Sequence, residues 1–217
     1  MKITCFIPEW HIRDWGTKVD EKGDISVEQV YKLNQKIKTK LSVFADINSV
    51  HKPNENKISI IPTQNNRYDI TGKILAGHMT PYSDIHLLID VGVPIELTIK
   101  NPREYKEKKE GKHLIKKILI KKKNPDKFVF RKGGFIFIEN TIISKYIEQD
   151  EMIHIDYDYF NAIITKVETL DNWDTWLNLE CLKTSVKNVK FKFTPWKGLK
   201  ESTELIDKNF DEFILEY

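Results

Sequence analysis

The sequence predicts an α+β fold: a mainly antiparallel sheet or partly open barrel with an N-terminal amphipathic helix, a short middle helix and a C-terminal helix. Three observations carry this expectation. Short apolar–polar alternations recur from the second residue to "VKFKF" near the end, the mark of half-buried strands. "SVEQ", followed by apolar residues three and four apart, has the cap and stripe of a helix. The composition, 40% hydrophobic and 31% charged over 217 residues, suits a globular chain that buries a core without staples.

The first strand is expected at Lys2–Ile7, before a loop holding Trp10 and Trp15. Ser26 then opens the clearest helix, with Val30, Leu33, Ile37, Leu41 and Phe44 on one stripe and Lys32, Lys36, Lys38 and Lys40 around the rest. Turn-rich "NSVHKPNENK" leads to short strands at 57–61, Ile85–Asp90 and 95–99, and "NPREYKEKKEGK" is too polar for anything but a charged connection. Strands at 113–122, Lys127–Arg131 and 135–138 follow, with Lys132-Gly133-Gly134 as a tight hairpin turn. "NTIISKYIEQ" reads as the middle helix, capped by Asn140 with Ile142, Ile143, Tyr146 and Ile147 inward.

Strands at 152–159 and 162–168 come next. "NWDTWLNLECLKTS" is ambiguous: Trp173, Trp176 and Leu177 have helical spacing, while Leu177, Leu179 and Cys181 alternate, which favours a strand for its second half. Ile206, Phe210, Phe213, Ile214 and Tyr217 complete an acidic C-terminal helix. From 112 to 168 the order of three strands, a helix and two strands is also that of an OB-type barrel. The chain reads as a single domain over 1–217, any subdivision falling near 100–112.

Two negative findings bound the chemistry. The apolar start is cut short by Pro8 and Glu9, there is no run of about 18 apolar residues, and Cys5 and Cys181 are the only cysteines. A cytoplasmic protein without a membrane partner is expected, and heavy use of Lys, Ile and Asn points to an AT-rich bacterial or phage genome. Nucleotide-binding, dinucleotide-binding and hydrolase glycine motifs are missing, so no cofactor is expected. "DEKGDISVEQ" departs from a calcium loop because Lys18 and Lys22 stand at ligand positions, and in "DVGVPIELTIK" Lys100 follows Glu96 by four residues where metal-dependent nucleases need two.

Charge is the positive finding. The net is only +3, yet residues 100–132 hold 14 Lys and Arg against 4 Asp and Glu, a local +10 that leaves −7 for the rest. Within this stretch Lys116, Lys117, Lys121, Lys122, Lys123, Lys127, Arg131 and Lys132 form a candidate anion-binding set, with Phe128, Phe130, Phe135 and Phe137 nearby. Cations replace counterions on phosphates and aromatic faces stack on unpaired bases. Alternation pairs Phe128 with Phe130 and Phe135 with Phe137, so all four are expected to face the core and leave the lysines outside. Such lysines bind an anion or simply guard a sheet edge.

The function these residues favour is a non-enzymatic binding, inhibitor or accessory protein that engages nucleic acid or an acidic protein surface through a basic β-hairpin. The alternative from another class is a metal-dependent hydrolase or nuclease. His154, Asp156 and Asp158 share one face of the expected 152–159 strand, and a further ligand such as His86, from "GHMTPYSDIHLLID", would complete a site. A subunit of a larger assembly, anchored by its tryptophans, is the third reading.

Overall fold

The computed structural model describes residues 1–11, 31–79, 85–100, 105–110, 113–119, 127–145, 153–170, 174–182, 189–193 and 212–216. They are almost wholly strand. The first eight are β1 (Lys2–Ile7), β2 (Lys36–Thr39), β3 (Leu41–Asp46), β4 (Val50–His51), β5 (Ser59–Pro62), β6 (Tyr68–Met79), β7 (Ile85–Asp90) and β8 (Pro94–Lys100). Then come β9 (Tyr105–Glu110), β10 (His113–Leu119), β11 (Lys127–Arg131), β12 (Phe135–Thr141), β13 (Ile143–Ser144), β14 (Ile153–Asp156), β15 (Phe160–Thr169), β16 (Thr175–Cys181), β17 (Lys190–Phe193) and β18 (Glu212–Glu216).

The main sheet runs β2-β15-β16-β1-β13-β3-β8-β7-β6-β12-β4, with β5 beside β6. Its strands come from both sides of residue 112, since β13 lies between β1 and β3 and β12 pairs with β6. A 3-10 turn, Ile47–Ser49, carries β3 into β4, and a kink at Asn140, with φ of 49°, carries β12 into β13. These two bent stretches meet twice, at Val43↔Ile143 and at Val50↔Ile138. The sheet therefore curls back on itself as a half-barrel.

Alternation fills its interior. Leu41 and Val43 from β3, Leu87 and Ile89 from β7, Ile95 and Leu97 from β8, and Ile136 and Ile138 from β12 are all 0% exposed and belong to one cluster. Ile3, Cys5 and Ile7 of β1 and Leu177 and Leu179 of β16 extend that cluster toward the β2 end of the sheet. Cys5 and Cys181 are free, and burial pushes both thiols up to about 12, which keeps them protonated and inert. The central strands β7 and β8 are covered on their other face too, where Ala76, Leu88, Ile155 and Tyr157 make a small second cluster.

At Gly72 of β6 a Cβ would lie 3.0 Å from Ile89 Cδ1 and 3.0 Å from Val91 Cγ1. The curl brings backbone onto side chain here, and only glycine fits without displacement. Gly72→Val is expected to cost about 1–3 kcal/mol by overpacking, read as a lower urea midpoint with unchanged slope.

The expected helices are corrected. Residues 12–30, which include the Ser26 cap, lie outside the described residues, but the remainder of that segment is β2 and β3, and Leu33 of the supposed buried stripe is 63% exposed. The middle helix is replaced by the end of β12 and by β13, with residues 146–152 outside the described set. Of the expected C-terminal helix, residues 206–211 and 217 lie outside the described residues, and Glu212–Glu216 form β18, which pairs with β11. Helical structure among the described residues is confined to 9–11 and the 3-10 turn. No OB-type order appears over 112–168 either, because β10, β11 and β14 each leave for a separate two-stranded sheet. No helix among the described residues is long and apolar enough to cross a membrane.

Candidate functional site

The basic stretch is divided among three settings. β9, expected as a loose connection, is a strand that pairs with β10, so a basic hairpin exists at 105–119 rather than at 127–138. Its register sets Lys116 opposite Lys108, Leu114 opposite Lys109 and Ile118 opposite Lys106, with Lys117 opposite Glu107. Lys127 and Arg131 of β11 fall instead opposite Glu216 and Glu212 of β18, so the acidic chain end meets part of the positive charge. Lys132 is exposed at the corner after β11, and Lys121, Lys122 and Lys123 lie outside the described residues.

The Gly-Gly pair is that corner and not a hairpin turn. Gly133, at φ of 83°, donates its N–H to Ile74 O at 2.7 Å, and Gly134 O accepts from Ile74 N at 2.8 Å. β11 and β12 thus diverge to different partners. Phe130 of β11 is fully buried in the main core, as expected. Phe135 and Phe137 are not: Ile136 and Ile138 take the interior, and the two phenylalanines are half-buried on the outer face of β12. There Lys73 of β6 is registered opposite Phe135, and His51 of β4 opposite Phe137, with ring centroids 6.1 Å apart.

No family model matches the chain, and no curated protein or solved structure matches it. The chemistry must therefore be read from the side chains themselves.

Of the His/Asp strand face, His154 and Asp156 lie in β14 and Asp158 follows its end. In β14 and the residues after it, Ile155 and Tyr157 are buried against the sheet, while Asp156 is half-buried and Asp158 exposed. Register sets His154 opposite Lys192 and Asp156 opposite Lys190 of β17. The His154 side chain is outside the described set, and among the described residues no group of three or more His, Cys, Asp or Glu is placed to hold a metal ion. His86 lies against His78 of β6, the rings stacked at 5.0 Å and 10°, with Thr98 Oγ1 3.3 Å from His86 Nδ1. Two parallel rings cannot both hold one ion in their planes, so this pair is no ready chelate.

A buried polar cluster on the same sheet face escaped sequence reasoning. Register puts Glu96 of β8 beside Leu88 on one side and Ser42 on the other. Burial is the main cause that raises the Glu96 carboxyl to about 7, against Lys40 and Tyr157, which both pull it down. Lys40 is only 8% exposed, and its ammonium sits 4.1 Å from the Tyr157 ring centroid and 4.9 Å from that of Tyr159. The Tyr157 hydroxyl is buried toward Glu96 without closing a well-formed hydrogen bond, and burial first, Glu96 second, raise its pKa well above the phenol range. Glu96 is thus a carboxyl that gains and loses its proton near neutrality. The one signal for it was a lone carboxylate in "VGVPIELTIK", a strand apolar enough to be buried on both faces.

Proposed function

We propose that the protein is a non-catalytic binding protein, inhibitor or accessory in kind, that engages an anionic partner through the β9–β10 ribbon and the lysines that follow it. The observation that carries this reading is the register of Lys108 opposite Lys116. Like charges directly across a ladder are unfavourable, by up to about 1 kcal/mol, and a phosphate or carboxylate bound across them removes the repulsion. Lys106, Lys109, Lys117 and Lys121 to Lys123 add to the same segment and concentrate its positive charge.

The test is salt. Binding to a labelled polyanion is expected to weaken steeply between about 50 and 200 mM salt, with a slope set by the number of phosphates contacted. Replacing Lys116, Lys117, Lys121, Lys122 and Lys123 by Ser should flatten that slope by up to about 4. An unchanged slope in the variant, or no binding at the lower salt, would leave these lysines as a solvated edge and end the proposal.

A further inference from the structure

The outer face of β12 has a composition that an ordinary solvent face does not explain. Its inward residues, Ile136 and Ile138, are 0% exposed, so Phe135, Phe137 and Glu139 stand on the other side. Phe135 and Phe137 are half-buried neighbours on this outward face, a short aromatic strip that leaves part of each ring open to contact. Their neighbours here are polar. Lys73, registered opposite Phe135, is exposed, His51 stacks at an angle on Phe137 with its side chain 45% exposed, and Lys52 beyond it is exposed. Along the chain, Arg131 and Lys132 lie at the corner that leads directly into Phe135.

We propose that this face is a stacking platform for the bases of a single-stranded nucleic acid, with Phe135 and Phe137 as the two stacking groups. The inference rests on the anion-binding reading of the basic ribbon and names the class of its partner. Unpaired bases offer π-faces to aromatic rings, while lysines at the margin track the phosphates, and the combination tolerates any sequence. Phe135 and Phe137 are one same-face step apart, about 7 Å along a strand. That matches neighbouring bases once a single strand is drawn out of its helical stack. Duplex bases are already stacked on one another and cannot use such a platform. His51 adds a third ring, and its contact with Glu139, Nε2 to Oε2 at 3.3 Å, holds it beside Phe137. Two carboxylates border this face and are engaged by backbone: Asp90, registered opposite Lys73 on the row of Phe135, accepts from Gly92 N, and Asp69, beyond the Phe137 row, accepts from Asn140 N.

The experiment compares four probes on the full chain: a labelled oligo-dT of roughly 20 nucleotides, the corresponding dA·dT duplex, heparin and poly-glutamate. Variants are Phe135→Leu with Phe137→Leu, which keeps apolar volume and removes the rings, and Phe137→Trp, with melting curves to confirm that each folds. Oligo-dT should bind at least about tenfold more tightly than the duplex, lose about 5- to 100-fold in the double Leu variant, and hold or gain affinity with Trp. Heparin binding should not respond to either change. Equal binding of single strand, duplex and heparin, indifferent to the phenylalanines, overturns the platform and leaves the anion-binding reading standing. Preference for poly-glutamate overturns the nucleic-acid partner. Failure of all four probes to bind overturns both.

Discussion

At pH 8 the Glu96→Gln protein is expected to be more stable than the parent by about 1–3 kcal/mol, and at pH 4 to 5 the two should be nearly equal. The sign follows from the direction of the shift. Burial raises the Glu96 carboxyl from 4.5 to about 7, so the folded chain holds this proton more tightly than the unfolded chain does. The stability linked to that proton is fully present below 4.5 and is lost as the pH rises through about 7. Gln keeps the shape of the protonated acid and has nothing to lose. Lys40 limits the gain, because its ammonium offsets part of the cost of the ionised carboxylate and loses that partner in the variant. Urea unfolding of both proteins across pH 5 to 8 decides the matter: parallel stability profiles would mean that Glu96 is solvated and holds no displaced proton.

Phe130→Ala is expected to cost about 3–5 kcal/mol. The ring is fully buried in the main cluster although it comes from a strand bounded by Lys127 and Arg131. Among the described side chains of β11 it is the apolar one that joins this strand, and through it the paired strand β18, to the main core. Lys132→Ser, two residues away and exposed, should stay within about 0.5 kcal/mol. A loss below about 1 kcal/mol in Phe130→Ala would show that β11 is not part of the cooperative core. The contrast bears on function, since loosening β11 would disturb the lysines next to it without removing a single charge.

Legibility followed the physics of periodicity. Lys2–Ile7, with alternating burial, and Ile85–Asp90, a short apolar run, form where the pattern puts them. The supposed N-terminal helix shows how the pattern misleads: Ile37, Leu41 and Phe44 fit a helical stripe, but Leu41, Val43 and Ala45 equally fit one face of a strand, and pairing with β8 decides. Over "EFILE" five residues are too few to choose, and the basic β11 supplies a complementary ladder. β6, the longest strand, was hidden by Gly72 and Gly77, the first of which is needed for close approach rather than for a turn. In "FIFI" both faces are apolar, so a period of two cannot say which pair is inside, and the structure buries the isoleucines. The Lys40–Glu96 pairing joins residues 56 positions apart and leaves no trace in local spacing.

One feature of the sheet governs how the chain can be made. β1 finds its ladder on β16 over six residue pairs, and the Met1 ammonium donates to Cys181 O across a sequence separation of 180. At about 5–20 residues per second, a ribosome needs roughly 10–40 s to deliver the strand that β1 must meet. Until then β1 presents Ile3, Cys5 and Ile7 to whatever edge is nearest. High contact order of this kind slows folding to the millisecond-to-second range even after release. Yield during synthesis should therefore depend on holdase chaperones more than equilibrium stability would suggest, and on growth temperature in the same way.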